Sequence, residues 1–241
     1  MERLDGRRWD ELRPVTLTPG YAGFAEGSVL IGMGETRVLC NVTIEESLPR
    51  WMQRQAKTGG WITAEYAMLP RATLQRTPRE TMGLSGRTQE IRRLIGRSLR
   101  TAVDLEKLGS RTCIIDCDVL QADGGTRTAS ITGGYVALAI ALRKLIEQGH
   151  IPEGTLRSPV AATSVGVIRD MALLDLNYNE DSAAEVDANI VMNAEGEYIE
   201  VQGTAEGKVF SRDTLDHLLD LATKGIGELL AIQQAVLTGN D

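Results

Sequence analysis

The run SVLIGMGETRVLCNVTI (28–44) holds two apolar or alternating stretches broken by Gly32-Met33-Gly34-Glu35, the pattern of a β-hairpin. A loop-rich stretch follows from Ser47 to about Gly86, punctuated by Pro49, Gly59-Gly60, Pro70 and Pro78, with one short apolar piece, WITAEYAMLP. An irregular segment this long is more often functional than idle. Helical spacing then takes over from about Thr88 to Leu108. There Ile91, Leu94, Ile95, Leu99 and Val103 form one stripe, Arg92, Arg93, Arg97 and Arg100 avoid it, Ser85 or Thr88 can cap the start, and Gly109 ends the pattern. RTCIIDCDVLQ reads as a strand, closed by Gly124-Gly125. TRTASITGGYVALAIALRKLIEQG reads as a second helix, apolar nearly all round and so predicted to be buried. After a Pro-Glu-Gly linker, VAATSVGVI, MALLDLNY, DANIVMN and EYIEVQG predict four strands. A last helix runs from a Ser211 cap through Leu215, Leu218, Leu219, Ala222, Ile226 and Leu229. This order predicts an α+β (mixed α/β) fold, not a βαβ repeat with a dinucleotide turn.

Composition is ordinary for a globular chain, with 42% hydrophobic and 24% charged residues. Aromatics make up only 4%, so a nucleic-acid site built from stacking platforms is not expected. No run of eighteen apolar residues appears and the start, MERLDGRRWDELRP, is charged, which predicts a cytoplasmic protein without membrane contact. Three cysteines, an odd number, suit a reducing compartment. Cys113 and Cys117 share strand parity and read as core thiols, because no clustered histidine completes a metal site.

Charge changes the picture more. The net charge of −7 argues against nucleic acid, yet it is unevenly spread. Eight arginines and no lysine lie between Arg71 and Arg100 against Glu80 and Glu90, a local net of +6. Residues 171–241 carry −11. Arginine without lysine fits forked recognition of phosphate, and a solvated helix face fits as well.

The sharpest chemical signal is Asp123-Gly124-Gly125-Thr126-Arg127-Thr128, between a strand and a buried helix. A helix start offers unpaired amides and a partial positive charge, glycines admit an anion closely, and Thr126 and Arg127 add donors. A plain glycine turn capped by Thr128 is the other reading. Ser85-Gly86-Arg87-Thr88 places a second arginine at a helix start, so the two could meet on one phosphate. Asp181 and Asp187 would sit roughly 20 Å apart on a straight strand. They meet only if Ser182–Glu185 turns, and a pair so formed suits a hydrated Mg²⁺ or Mn²⁺. A surface hairpin flanked by acids explains them equally. His150 and His217 stand apart from these clusters, and no nucleophile elbow, P-loop or zinc-binding HExxH is present.

GWITAEYAMLPRAT (60–73), GRTQEIRRLIGRSLR (86–100), DCDVLQADGGTRTASITG (116–133), EDSAAEVDANIVM (180–192) and IEVQGTAEG (199–207), with LRPVTLTPGYAGFAEGSVL near the start, resemble the bacterial ribonuclease PH family over nearly the whole chain. The resemblance implies two similar β-α modules in one unit, about 1–150 and 151–241, of the kind found in part of ribosomal protein S5. It implies a homohexamer, a trimer of dimers. It implies a phosphate-dependent 3′→5′ exoribonuclease that trims tRNA precursors, with rRNA as a further substrate, and releases nucleoside diphosphates reversibly. By the same resemblance Arg87, Gly125, Thr126 and Arg127 bind inorganic phosphate, Asp181 and Asp187 serve catalysis and Mg²⁺ or Mn²⁺, and Arg71, Arg76 and Arg79 guide RNA. Either aspartate could protonate the leaving oxygen. The stretch ETMGLSG between Arg79 and Arg87 is shorter than the family's usual loop. An inactive ring subunit of the exosome type and a hydrolytic metal nuclease are the rivals. The first would lack these arginines or acids, and the second would need a denser carboxylate cluster.

Overall fold

The computed structural model describes residues 3–206 and 209–239. The predicted hairpin forms as β2 (Gly27–Met33) and β3 (Thr36–Glu45), with β1 (Val15–Pro19) antiparallel at its edge. β5 (Thr112–Gln121) pairs antiparallel with β3, and β4 (Trp61–Met68) pairs parallel with β5, closing a five-stranded sheet ordered β1-β2-β3-β5-β4. β4 is the apolar piece of the loop-rich stretch. Its alternation is legible as Ile62, Ala64 and Tyr66, which face inward and are buried. A short helix, α1 (Arg50–Arg54), precedes it. A second sheet, ordered β7-β6-β8-β9, is wholly antiparallel and built from β6 (Val160–Ile168), β7 (Met171–Leu174), β8 (Val186–Asn193) and β9 (Tyr198–Ala205).

Between the sheets runs α4 (Thr126–Glu147), packed on β2 and β3 on one side and β6 on the other. Among the described residues it is the helix long and apolar enough to cross a membrane, but 72% of its most apolar window is buried inside the fold. Its small residues serve this sandwiching: a Cβ on Gly133 would lie 2.7 Å from Ile31. α2 (Gly86–Thr101) and α6 (Arg212–Thr238), capped by Ser85 and Ser211 as predicted, complete one continuous core from Leu17 to Leu229. Cys40, Cys113 and Cys117 are buried free thiols.

Two expected elements are corrected. The helix over 88–108 is two helices, α2 and α3 (Leu105–Leu108). Val103 bridges to Leu156, and the Asp104 carboxylate accepts the Glu106 and Lys107 amides at 3.1 and 3.2 Å, starting a new helix where the periodicity alone runs on. The strand expected over MALLDLNY stops at Leu174, because Asp175 takes a left-handed backbone (φ +52°). Asn177 then caps α5 (Tyr178–Ser182) in a capping box with Glu180.

Candidate functional site

The chain passes from β5 into α4 through Asp123-Gly124-Gly125. Both glycines are left-handed, at φ +73° and +66°, a region that costs other residues about 1–2 kcal/mol. A Cβ on Gly124 would stand 2.7 Å from the Leu176 carbonyl oxygen, so glycine alone lets this loop press on the segment leading to α5. The loop is pinned from behind. Thr36 donates to the Gly124 carbonyl at 2.6 Å and accepts the Asp123 amide at 2.9 Å. Buried Arg13 donates to the Asp123 carbonyl and grips Asp175 through Nη2 and Nε at 2.7 and 3.0 Å. The Asp123 carboxylate in turn accepts the Tyr178 amide at 3.2 Å.

Gly125 is the N-cap of α4, and no side chain caps that helix. Thr128, the alternative cap, donates its hydroxyl to the Gly125 carbonyl at 2.9 Å instead. The first amides of α4 thus carry the positive end of a long helix without a side-chain partner. Arg127 is the second residue of this helix. The Thr126 hydroxyl shares a 2.8 Å hydrogen bond with that of Tyr66. The start of α2 differs, since Ser85 accepts the Thr88 amide at 3.2 Å. Arg87, the second residue of α2, is exposed and pairs with no carboxylate among the described residues.

Asp181 sits on α5, which is anchored by Arg3 donating to both Glu180 oxygens at 2.8 and 2.7 Å. Asp187 sits on β8 opposite Thr204 of β9. The segment between them is the end of a short helix followed by a turn and a bend. Burial raises the Asp181 carboxyl above its usual range, while the charges of Arg87, Arg127 and Arg13 draw it back. Asp187 is raised by burial, then by Asp181 and Glu206, with Arg127 opposing. Burial likewise raises the Tyr66 hydroxyl, against its bond to Thr126 and the charges of Arg87 and Arg127. Tyr66, bonded to Thr126, thus stands between the start of α4 and the cavity that Arg87 lines.

Arg127, Asp187, Asn189, Gln202, Thr204 and Glu90 line a cleft of about 460 Å³ between the start of α2 and the outer face of β8 and β9. Arg71, Arg76 and Arg79 lie exposed on the loop after β4, away from this cleft. Of these, Arg79 shares a second cavity of about 370 Å³ with Arg87 and Tyr66. The loop base is tied down by the Leu69 amide on the Val119 carbonyl at 3.0 Å and the Ala122 amide on the Ala72 carbonyl at 2.8 Å. His150 and His217 line neither cavity.

A chain that sets two arginines at neighbouring helix starts opposite a pair of acids can hold an anion beside a cation. The sequence model of the 3′ exoribonuclease family, domain 1, matches residues 11–144, and that of domain 2 matches residues 158–225. The chain belongs to the 3′ exoribonuclease family. Within the family it is similar to the ribonuclease PH of Crocosphaera subtropica, 56% identical over 98% of each chain. The ribonuclease PH of Moorella thermoacetica is 55% identical over the whole of both chains, and that of Dehalococcoides mccartyi 53% identical over 98% of each. Among solved structures, rice (Oryza sativa) Rrp46 superimposes with a TM-score of 0.79 at 20% identity, covering 98% of this chain and 100% of the other. An Archaeoglobus fulgidus exosome with RNA bound to the active site gives 0.77 at 24% identity, over 95% and 91%. These structures speak for the shared fold.

Against this family background, the sequence reading missed the site's supports. Tyr66 was hidden in the loop-rich stretch, Glu90 counted only as a counter-charge, and Arg13, Asp175 and Gln202 gave no local signal. The contacts that place them span 37 to 162 residues of the chain.

Proposed function

We infer that the chain is a phosphorolytic 3′→5′ exoribonuclease, a nucleotidyltransferase that passes the terminal nucleotide of RNA to orthophosphate. The reading is supported by one arrangement: Arg127 is the second residue of the uncapped α4 and lines a cleft with Asp187, the neighbouring Thr126 hydroxyl bonds that of Tyr66 at 2.8 Å, and Tyr66 shares a cavity with Arg87. Orthophosphate, held by Arg87, Arg127, the Thr126 hydroxyl and the amides from Gly125 onward, attacks the last phosphodiester in line. The bond to the 3′ oxygen of the penultimate residue breaks. The products are a nucleoside diphosphate and an RNA one nucleotide shorter. Phosphate is already an anion at neutral pH, so no strong base is needed. The barrier is repulsion between two anions, which fixed guanidiniums and helix-start amides lower in place. Exchange of a phosphodiester for a phosphoanhydride leaves the reaction reversible.

Asp181 and Asp187 would hold Mg²⁺ or Mn²⁺. The fit rests on an exposed Asp181 and a half-buried Asp187, the latter destabilised by Asp181 and Glu206, a charge imbalance that a divalent cation relieves. Bound there, the ion neutralises charge on the reacting phosphates. Because both carboxyl values are raised above 3.8, protons compete for the pair at higher pH than for ordinary aspartates. The Mg²⁺ concentration for half-maximal activity should therefore climb as pH falls toward those values. A metal titration that is flat down to pH ~4 would contradict this, since an unshifted aspartate stays ionised to about that value.

Transfer of a phosphorus label tests the reaction itself. With [³²P]orthophosphate and a 3′-extended tRNA, the label should appear in the β position of the released diphosphate. Unlabelled monophosphates would mean hydrolysis.

The exposed Arg71, Arg76 and Arg79 guide the RNA body toward the site, and their presentation on a ring, a homohexamer built as a trimer of dimers, reconciles an acidic protomer with an anionic substrate. Precursor tRNA 3′ ends are the substrate, with rRNA beside them, in the cytoplasm. The two sheets, with their helices, are the two modules of one working unit, joined near residue 150. Arg76→Ala should weaken long RNAs but not dinucleotides, and flatten the dependence of log K on log salt by about 0.7 per lost contact. An unchanged slope would remove Arg76 from the RNA path.

A further inference from the structure

Arg127 is held by two residues to which the phosphate reading gives no task. Its Nη1 donates to the Gln202 amide oxygen at 3.3 Å, and its Nη2 lies 3.4 Å from the Glu90 carboxylate. The third side of the ring is closed by the Gln202 amide nitrogen, which donates to Glu90 at 3.1 Å. The three residues come from α4, β9 and α2, so the ring joins the start of both helices to the second sheet. The Gln202 side-chain amide accepts from the guanidinium through its oxygen and donates to the carboxylate through its nitrogen, which a carboxylate or an alkyl group at this position could not do. A glutamate at 202 would set two carboxylates side by side, and an alanine would leave both partners loose.

We propose that Gln202 and Glu90 are positioning residues that fix the Arg127 guanidinium in its phosphate-binding rotamer. The proposal rests on the reading of Arg127 as a phosphate ligand. A free arginine loses several rotatable bonds when it grips an anion. The ring removes that loss before phosphate arrives, and its contacts are long enough to leave the remaining N–H groups of the five-donor fork for the anion. Glu90 is 40% exposed and Arg127 19%, so both the clamp and its cargo border the cleft.

The full-length protein carrying Gln202→Ala should show a phosphate KM raised roughly three- to tenfold, the usual cost of immobilising one long side chain on binding. Its kcat at saturating phosphate should stay within about twofold and its RNA KM should not move, a split that a general structural defect would not give. The rise in Tm produced by inorganic phosphate should shrink in Gln202→Ala, and in an Arg127→Ala background the same substitution should cause no further loss. Equal loss in both backgrounds, or a raised RNA KM with phosphate KM unchanged, would overturn the proposal. If Arg127→Ala weakens phosphate while Gln202→Ala does not, the clamp alone fails. If Arg127→Ala leaves phosphate binding intact, the phosphate reading fails and the clamp with it.

Discussion

Arg127→Ala should fold normally and lose phosphorolysis, with kcat/KM for phosphate falling about 10²–10³-fold, the cost of removing one fixed donor to a reacting oxyanion. Folding is spared because the side chain and its partners, Gln202 and Glu90, border an open cleft where water can replace the lost contacts. The loss should fall mainly on phosphate KM, and raising phosphate should recover part of the rate. Steady-state kinetics over micromolar to molar phosphate makes the measurement. Undiminished activity at micromolar phosphate would detach Arg127 from the reaction.

Asp187→Asn should act on turnover, lowering kcat about 10²–10⁴-fold, the range for a group that manages charge or a proton in the transition state. RNA affinity should change only a few-fold, because the β8 backbone ladder and the loop arginines remain. Stability moves the other way. A carboxyl whose folded value is raised stabilises the fold fully below its ordinary 3.8, and this contribution is lost as pH rises through the raised value. At neutral pH the ionised Asp187 is held against burial, Asp181 and Glu206, and a neutral isostere removes that burden. Tm of the metal-free variant should therefore equal or exceed that of the parent at pH 7. A large loss of RNA affinity with normal kcat would contradict the assignment, and a fall in Tm would contradict its electrostatic basis.

The contrast between these two residues also marks what a sequence can and cannot reveal. Arg127 announces itself because a helix start, a glycine pair and a forked cation are local features six residues long. Asp187 is visible as an acid on a strand, but Asp181 lies on α5, whose start the strand-like pattern of MALLDLNY conceals. The break comes from Asp175 turning left-handed to hold Arg13, a partner 162 residues distant. Apolar stripes mark α6 and most of α2, and all-round apolarity marks α4, because helices and their faces are set by near neighbours. The parallel pairing of β4 with β5 and the ring of Arg127, Gln202 and Glu90 are long-range contacts, and no spacing rule carries them.

Arg87 and Arg127 are expected to hold one and the same orthophosphate. A crystal structure of the protein grown with phosphate tests this most directly. A single phosphate should sit at the start of α4, touched by both guanidiniums and facing Asp181 and Asp187. Phosphate bound by one arginine alone, or lodged away from the acids, would contradict the account.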